Sequence, residues 1–311
     1  MTTGFLCDER FLEHSTGNGH PESPFRIIAI LKYLKTVPFY AELKQYRAFQ
    51  APIEAILAVH ASHYIDRARE LCRWGGGLLD SPDVPVGKNS FDVALLAAGG
   101  ALKLADAVMA GEIENGFCCA RPPGHHAEAD RAMGFCLLNN IAILARYLQR
   151  QYGLKKIAIV DWDVHHGNGT QHIFESDPSV FYISLHQFPH YPGTGAADER
   201  GIGAGEGYTL NIPLQQGAGD RECLAAFSEQ VIPALKKFQP DAILISAGFD
   251  AHELDPLGGL NFSEATYEWL TIELRKINRR VISLLEGGYN LESLPRCVAA
   301  HLHGLLAPLI S

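Results

Sequence analysis

From Gly116 onward the chain alternates short apolar runs with longer amphipathic segments, and polar loops fall between them. Gly116–Ala120, Lys156–Asp161, Val180–Leu185, Tyr208–Ile212, Asp241–Ser246 and Val281–Leu285 are too short for helices and read as strands. Leu137–Arg150, Asn168–Phe174, Asp220–Phe238, Ser263–Asn278 and Leu291–Leu306 read as helices. Strand–loop–helix order without hairpin signals predicts a mainly parallel sheet covered by helices on both faces, an α/β fold of three layers, α/β/α. Sheets of this kind gather their functional loops at the carboxyl ends of the strands.

The first half is less regular. Gly4–Cys7 is a candidate first strand, and Gly17–Arg26 is a loop punctuated by Gly and Pro. Ser23-Pro24 opens a helix along Ile27, Ile28, Ile30, Leu31 and Leu34. Pro52–Val59 and Ser62–Arg73 read as short helices, Trp74–Asn89 as a surface loop near a site, and Ser90–Ala110 as a long Ala/Leu-rich helix. No repeat or linker divides the chain, so residues 1–311 are expected to form a single domain. A net charge of -9 argues against a nucleic-acid surface. No apolar run approaches the ~18–20 residues of a membrane span. Seven cysteines without a CxxC read as reduced core residues. The N-terminus lacks a signal-peptide pattern, so a cytoplasmic location is expected.

Four loops after strands hold the unusual residues. Asp161–Thr170, DWDVHHGNGT, packs two aspartates and two histidines directly behind Ile157–Val160. In an extended segment Asp161, Asp163 and His165 point to one side and His166 to the other. An Asp-x-His pair offers one metal ion an oxygen and an imidazole nitrogen. Buried like charges at this density are costly without a cation. Arg121–Ala127 carries adjacent His125 and His126, which taken alone fit metal ligation, proton transfer or an ordinary loop. Ser246–Asp250 sets an aspartate after a buried strand and a glycine turn, and Leu285–Asn290, LEGGYN, sets Tyr289 beside a close backbone approach.

Taken together, these loops supply the parts of a hydrolytic metal site. Asp163, His165 and Asp250 make three ligands and leave a position for water, as catalytic zinc sites do. Zinc lowers the pKa of its water toward ~7 and polarises a carbonyl. His125 and His126 suit proton transfer at neutral pH, Asp161 can hold one of them in a fixed tautomer, and Tyr289 can donate to an oxyanion. No serine or cysteine has the GxSxG context, so water is the expected nucleophile.

Seven motifs now stand in order: HPESPFR (His20–Arg26), RPPGHHA (Arg121–Ala127), GFCLLNN (Gly134–Asn140), DWDVHHGNGT, YPGTG (Tyr191–Gly195), SAGFDAHELDPLGG (Ser246–Gly259) and LEGGYN. From about Gly4 to Pro295 this set resembles the zinc-dependent histone deacetylase family. The resemblance implies the arginase/deacetylase fold, with a parallel sheet of about eight strands. It matches Asp163, His165 and Asp250 to the zinc ligands, His126 to the general base and acid, His125 to its partner, Asp161 to the carboxylate behind His125, and Tyr289 to the carbonyl-polarising tyrosine. Phe135 and Tyr191 match the aromatic walls of the acyl-lysine channel, where the second is more often phenylalanine; Gly134 and Gly287 would line the same passage. The family also binds potassium. One site would use the carbonyls of Asp161, Asp163, His165 and Leu185 with the side chains of Asp161 and Ser184. A second would use Phe174, Asp177, Val180 and Tyr208.

Asn168 stands where class I members usually carry Asp, and RPPGHHA and LEGGYN are class II-like, so the chain looks like a bacterial-type class II deacetylase or amidohydrolase. Asn168 is placed to orient His126 as a neutral partner. Leu257 takes the position where a polyamine-selective relative has Glu, although Asp80 or Asp83 can still serve a cationic substrate. The expected substrate is an acyl-lysine in a protein or peptide; the alternatives are a small acylated amine such as an acetylpolyamine, or a non-catalytic acyl-ligand binder. Fe2+ fits the same ligands as Zn2+. Neither nucleic acid nor membrane is an expected partner, and a homo-oligomer stays open. His14, His60, His63, His172, His301 and His303 read as surface or helix histidines, His186 and His190 as candidates for the site mouth, and His252 as a rim residue.

Overall fold

The computed structural model describes residues 2–309. Its strands, in chain order, are β1 (Thr3–Leu6), β2 (Lys44–Tyr46), β3 (Gly76–Leu78), β4 (Pro85–Gly87), β5 (Asn115–Cys118), β6 (Ile157–Asp161), β7 (Val180–Gln187), β8 (Thr209–Leu214), β9 (Ala242–Ala247) and β10 (Val281–Leu285). Eight of them form one sheet in the order β2-β1-β5-β10-β9-β6-β7-β8, and every pairing in it is parallel. This is the sheet that the alternation predicts.

The helices are α1 (Phe25–Leu34), α2 (Ile53–Ile56), α3 (Ser62–Arg73), α4 (Ser90–Met109), α5 (Asn140–Tyr152), α6 (Asn168–Phe174), α7 (Asp220–Ala226), α8 (Ile232–Phe238), α9 (Glu264–Ile277) and α10 (Ser293–Leu306). A π turn over Phe227–Val231 joins α7 to α8, so the predicted Asp220–Phe238 helix is continuous. Strand residues alternate between two cores because side chains in a strand have a period of two. Ile157 and Ile159 of β6 join one core with residues of α4 and α5. Ala158 and Val160 join the other with residues of α1, α9 and α10. With both faces covered, the central strands are apolar throughout. α5 starts where the Asn139 side chain accepts the Ala142 N–H at 3.0 Å, and stops at Gly153 in the left-handed region, φ 69°.

Two elements depart from the sequence reading. β2 was not expected: its three residues, KQY, are polar or half-buried, and a sheet edge does not require an apolar run. Trp74–Asn89 contains a small antiparallel ladder, β3 with β4, rather than being loop throughout.

Register positions the site. Asp161 lies level with Ser184 of β7 and Ser246 of β9, and Leu285 lies level with Ala247. The loops that leave β5, β6, β7, β9 and β10 therefore emerge on one side of the sheet, next to one another. A separate cavity of about 570 Å³, lined by Lys156, Arg200, Tyr208, Lys237 and Phe238 among others, includes none of Asp163, His165 and Asp250.

Candidate active site

One ligand atom from each of Asp163, His165 and Asp250 lies within 4.8 Å of the others. His165 Nδ1 is 3.0 Å from Asp163 Oδ1 and 3.1 Å from Asp250 Oδ2. The sequence reading of one DxH and one distant Asp converging is thus met in space. Three observations show that the donors fit a cation. Asp250 Oδ2 is buried and makes no hydrogen bond among the described residues. Burial and the neighbouring Asp163 carboxylate push Asp250 up to about 7. Although burial opposes a charge on His165, the two carboxylates raise it to about 10, so a positive charge is favoured where the three atoms meet. Two carboxylate oxygens and an imidazole nitrogen match a zinc-type donor set. Gly287 has to be glycine: a Cβ there would collide with both carboxylates, and its N–H donates to Asp163 Oδ2 at 2.8 Å.

The adjacent histidines are set apart by what stands behind each. His125 Nδ1 lies 3.0 Å from Asp161 Oδ2, and the fully buried Asp161 also accepts the Tyr182 hydroxyl at 3.1 Å. Burial works against a charged His125, but Asp161 and Asp163 outweigh it and raise the imidazole to about 10. His126 lies 4.0 Å from it, ring to ring. Burial, then the charge on His125, hold His126 well below the usual histidine range. Its Nδ1 is 2.7 Å from Asn168 Oδ1. Two titratable groups whose surroundings drive them apart in this way are suited to opposite proton tasks.

Around this core lie the residues assigned to the substrate passage. The Tyr191 ring meets His126 at 5.2 Å and His165 at 6.0 Å. Phe135 packs edge-on against Tyr289 at 5.8 Å and His20 at 4.7 Å. Phe135 has φ 66°, a strained conformation for an aromatic residue of the kind found at functional sites. A Cβ on Gly134 would run into the His126 ring. Leu257 touches the cluster through its backbone: its carbonyl accepts His190 Nε2–H at 3.0 Å, and His190 stacks on His165 at 5.1 Å. Asp83 accepts the Tyr191 hydroxyl at 3.0 Å and the Gly134 N–H at 3.2 Å, so it ties Tyr191 to the segment that carries Gly134 and Phe135. Asp80 is instead occupied by Arg67, at 2.9 and 3.0 Å.

The Tyr289 loop is held from below. Its N–H donates to Asp255 Oδ2 at 2.6 Å. The buried Arg26 donates to the carbonyls of Gly288, at 2.7 Å, and Glu286, and its guanidinium sits 5.0 Å from the Tyr289 ring centre. Burial and the Asp250 and Asp163 carboxylates push the Tyr289 hydroxyl well above its ordinary range, against the pull of Arg26, so it stays a proton donor. The residues assigned to potassium lie in and around β6, β7 and β8. Asp161 and Ser184 face each other in register, and Ser184 Oγ meets His186 Nδ1 at 2.9 Å. The carbonyls of Phe174, Asp177 and Tyr208 each accept one backbone N–H, which leaves a second lone pair on each.

Several histidines differ from expectation. His14 and His60 are buried rather than surface or helix groups, held by hydrogen bonds to Ser90 and to the Glu128 carbonyl; His301 is a helix residue of α10, as expected, but it is buried and bonded to Thr271 and Ser283. His252 is buried near Glu264 rather than on the rim. His190 reaches the site, whereas His186 lies behind it against the Gly195 carbonyl. Sequence reasoning missed Glu286, whose carboxylate accepts the N–H of Gly124 at 2.6 Å and of His125 at 3.1 Å. It also missed Asp255, Arg26 and Glu128. Glu286, Asp255 and Arg26 sit inside motifs already singled out, and Glu128 directly follows one, but nothing in the sequence separates them from ordinary loop charges.

A family model described as the histone deacetylase domain matches residues 20–305. An uncharacterized protein of Synechocystis sp. is 43% identical, over 97% of this chain and 98% of its own. A probable deacetylase of Archaeoglobus fulgidus is 41% identical, over 94% of this chain and 82% of its own. The crystal structure of the HDA15 HD domain superposes with a TM-score of 0.95 at 41% identity, covering 98% of this chain and 89% of that one.

Proposed function

The chain belongs to the histone deacetylase family, and on that premise we propose that it is a zinc-dependent deacylase of class II type that hydrolyses the amide of acetyl-lysine or another short acyl-lysine. The observation that carries this reading is that the Asp163–His165–Asp250 cluster, the neutral His126 and the Tyr191 wall meet at one point. Asp163, His165 and Asp250 would hold the zinc ion, which would supply Lewis-acid polarisation of the carbonyl and lower the pKa of the attacking water. His126 Nε2 takes the proton of the attacking water and later returns it to the leaving amine. His125, held by Asp161, stays charged and stabilises negative charge that develops beside it. The Tyr289 hydroxyl donates to the oxyanion, with Arg26 and Asp255 fixing its loop. Phe135 and Tyr191 flank the acyl-lysine stem, with Gly134, Gly287 and Leu257 shaping the passage.

Potassium at the Asp161/Ser184/Leu185 position, and at Phe174, Asp177, Val180 and Tyr208, would add structural cations beneath the site. Residues 1–311 act in this reading as a single catalytic domain. Among the described residues no helix is long and apolar enough to cross a membrane; a cytoplasmic enzyme is the location proposed. A second reading, an acetylpolyamine deacetylase, is favoured by the Asp83 carboxylate at the mouth, which suits a cationic tail. Comparing kcat/KM of the zinc-loaded protein on acyl-lysine peptides and on acetylpolyamines tests both. Hydrolysis of neither class by metal-replete protein would overturn the assignment.

A further inference from the structure

Behind the proton-transfer pair stands a carboxylate with no task in the chemistry above. Glu128 Oε1 accepts the side-chain Nδ2–H of Asn168 at 2.6 Å. The same carboxylate accepts His172 Nδ1–H at 2.8 and 3.0 Å. Its backbone is pinned on both sides: the N–H donates to the Arg131 carbonyl at 3.0 Å, and the carbonyl accepts from His60 Nδ1 at 2.9 Å. Glu128, Asn168 and His126 are all buried. They form an unbroken line, from the half-exposed His172 through Glu128 and Asn168 to His126 Nδ1.

The chemistry of each link fixes the direction of the next. A primary amide has a donor end and an acceptor end of nearly equal size, and either can face a neutral imidazole. An ionised carboxylate only accepts. Burial raises Glu128, but His172 and Asn168 outweigh it and hold Glu128 below the usual carboxylate range, so it is ionised at neutral pH. Asn168 must therefore give Glu128 its amino group. A second acceptor on that side, the His126 carbonyl at 3.4 Å, is longer and weaker. With the amino group so engaged, Oδ1 is the end left for His126.

We propose that Glu128 is a positioning residue that acts through Asn168 to fix His126 in the Nδ1–H tautomer. Oδ1 can only accept, so Nδ1 of His126 carries the hydrogen and the lone pair on Nε2 is free to take a proton. With the Asn168 amide turned over, its amino group would face Nδ1, the hydrogen would move to Nε2, and His126 would be blocked as a base. Replacing an orienting carboxylate by an amide costs a serine-protease triad about 10⁴ in kcat for this reason. Asn168 brings the same hazard to His126, and Glu128 removes it from one residue further out. The catalytic consequence rests on the reading of His126 as the base; the tautomer does not.

The test is a cycle of variants in the zinc-loaded protein, read by kcat and KM on an acetyl-lysine peptide, by bound zinc, and by ¹⁵N spectra of the histidine rings. Glu128→Ala is expected to lower kcat by about tenfold or more with KM and zinc content little changed, and to populate Nε2–H in His126. Asn168→Asp alone sets two carboxylates against each other and is also expected to lose activity. Glu128→Ala with Asn168→Asp is expected to regain kcat to within a few-fold of the parent, because an aspartate accepts from Nδ1 with either oxygen. A merely structural Glu128 would give no such rescue. Should Glu128→Ala not fold, Asn168→Asp against Asn168→Asp/Glu128→Gln carries the same comparison. An unchanged His126 tautomer in Glu128→Ala, or no recovery in the double variant, overturns the proposal. If the parent hydrolyses no acyl-amine, the ring spectra alone decide it, separately from the proposed activity.

Discussion

The Glu286 carboxylate, at the end of β10, accepts the backbone N–H of His125 at 3.1 Å, so the last strand of the sheet holds the turn on which both histidines stand. Removing that acceptor leaves the N–H groups of Gly124 and His125 without it and frees the turn to shift. Glu286→Ala is expected to lower kcat by about 10- to 100-fold with zinc content retained, as a displacement of roughly 1 Å in a catalytic group can do. Steady-state kinetics with metal analysis checks this.

The same carboxylate makes stability depend on pH. Burial raises Glu286 to about 7, above the ~4.3 of an unfolded glutamate. Between those values the native chain binds more protons, so this contribution to stability falls as pH rises through that window. Glu286→Gln, which has no charge to bury, is expected to flatten the fall in Tm between about pH 5 and pH 7. Thermal unfolding across that range, parent against variant, reads it directly.

Tyr289→Phe keeps the ring that packs on Phe135 and under which Arg26 sits, and deletes only the hydroxyl. The expected loss is about 10²–10³ in kcat, the usual consequence of removing one oxyanion donor, with bound zinc unchanged. Full activity in this variant would remove Tyr289 from the mechanism.

Metal removal should act on stability as well as on turnover. Without a cation, Asp250 sits at about 7 against the ~3.9 of an unfolded aspartate, so the metal-free protein loses stability as pH rises through that interval. Bound metal favours the ionised form and opposes that loss. Chelation is therefore expected to lower Tm more at pH 8 than at pH 6, together with abolishing hydrolysis. Equal shifts at both pH values would show that metal binding is not linked to the ionisation of Asp250 in this range.

Tyr191→Phe retains the aromatic wall against His126 and releases Asp83 from the hydroxyl at 3.0 Å. A carboxylate with one donor fewer is a better partner for a cationic tail. KM for an acetylpolyamine is expected to fall about two- to fivefold, the worth of roughly one modest hydrogen bond, while kcat on a neutral acyl-lysine peptide changes little.

The sheet was legible because its central strands are buried on both faces and so leave apolar runs in the chain; Ile157–Val160 is the plainest case. β2 left no such run, since Lys44 and Gln45 of this edge strand face solvent. The Asp163–His165–Asp250 cluster and the histidine pair were legible because their residue types are rare at that density. Glu286, Asp255 and Glu128 were not, because a carboxylate that supports backbone N–H groups or an amide looks, in sequence, like any loop acid. Only burial distinguishes it. His301 is a helix histidine, as expected, but its burial was not legible: Thr271 and Ser283 satisfy both ring nitrogens inside the core.

Arg26 binds the carbonyls of Glu286 and Gly288, and Thr3 Oγ1 donates to the Leu305 carbonyl at 3.2 Å. The support for Tyr289 thus joins segments that leave the ribosome more than two hundred residues apart. Loop closure over such a separation must precede the contacts that reward it. A nascent chain that has already made its first strand and α1 must wait for β10 before the catalytic loops have anything to rest on. A chain that stops before β10 lacks Glu286, Gly288 and Tyr289 altogether, and it leaves β5 and β9 without the strand that pairs with both.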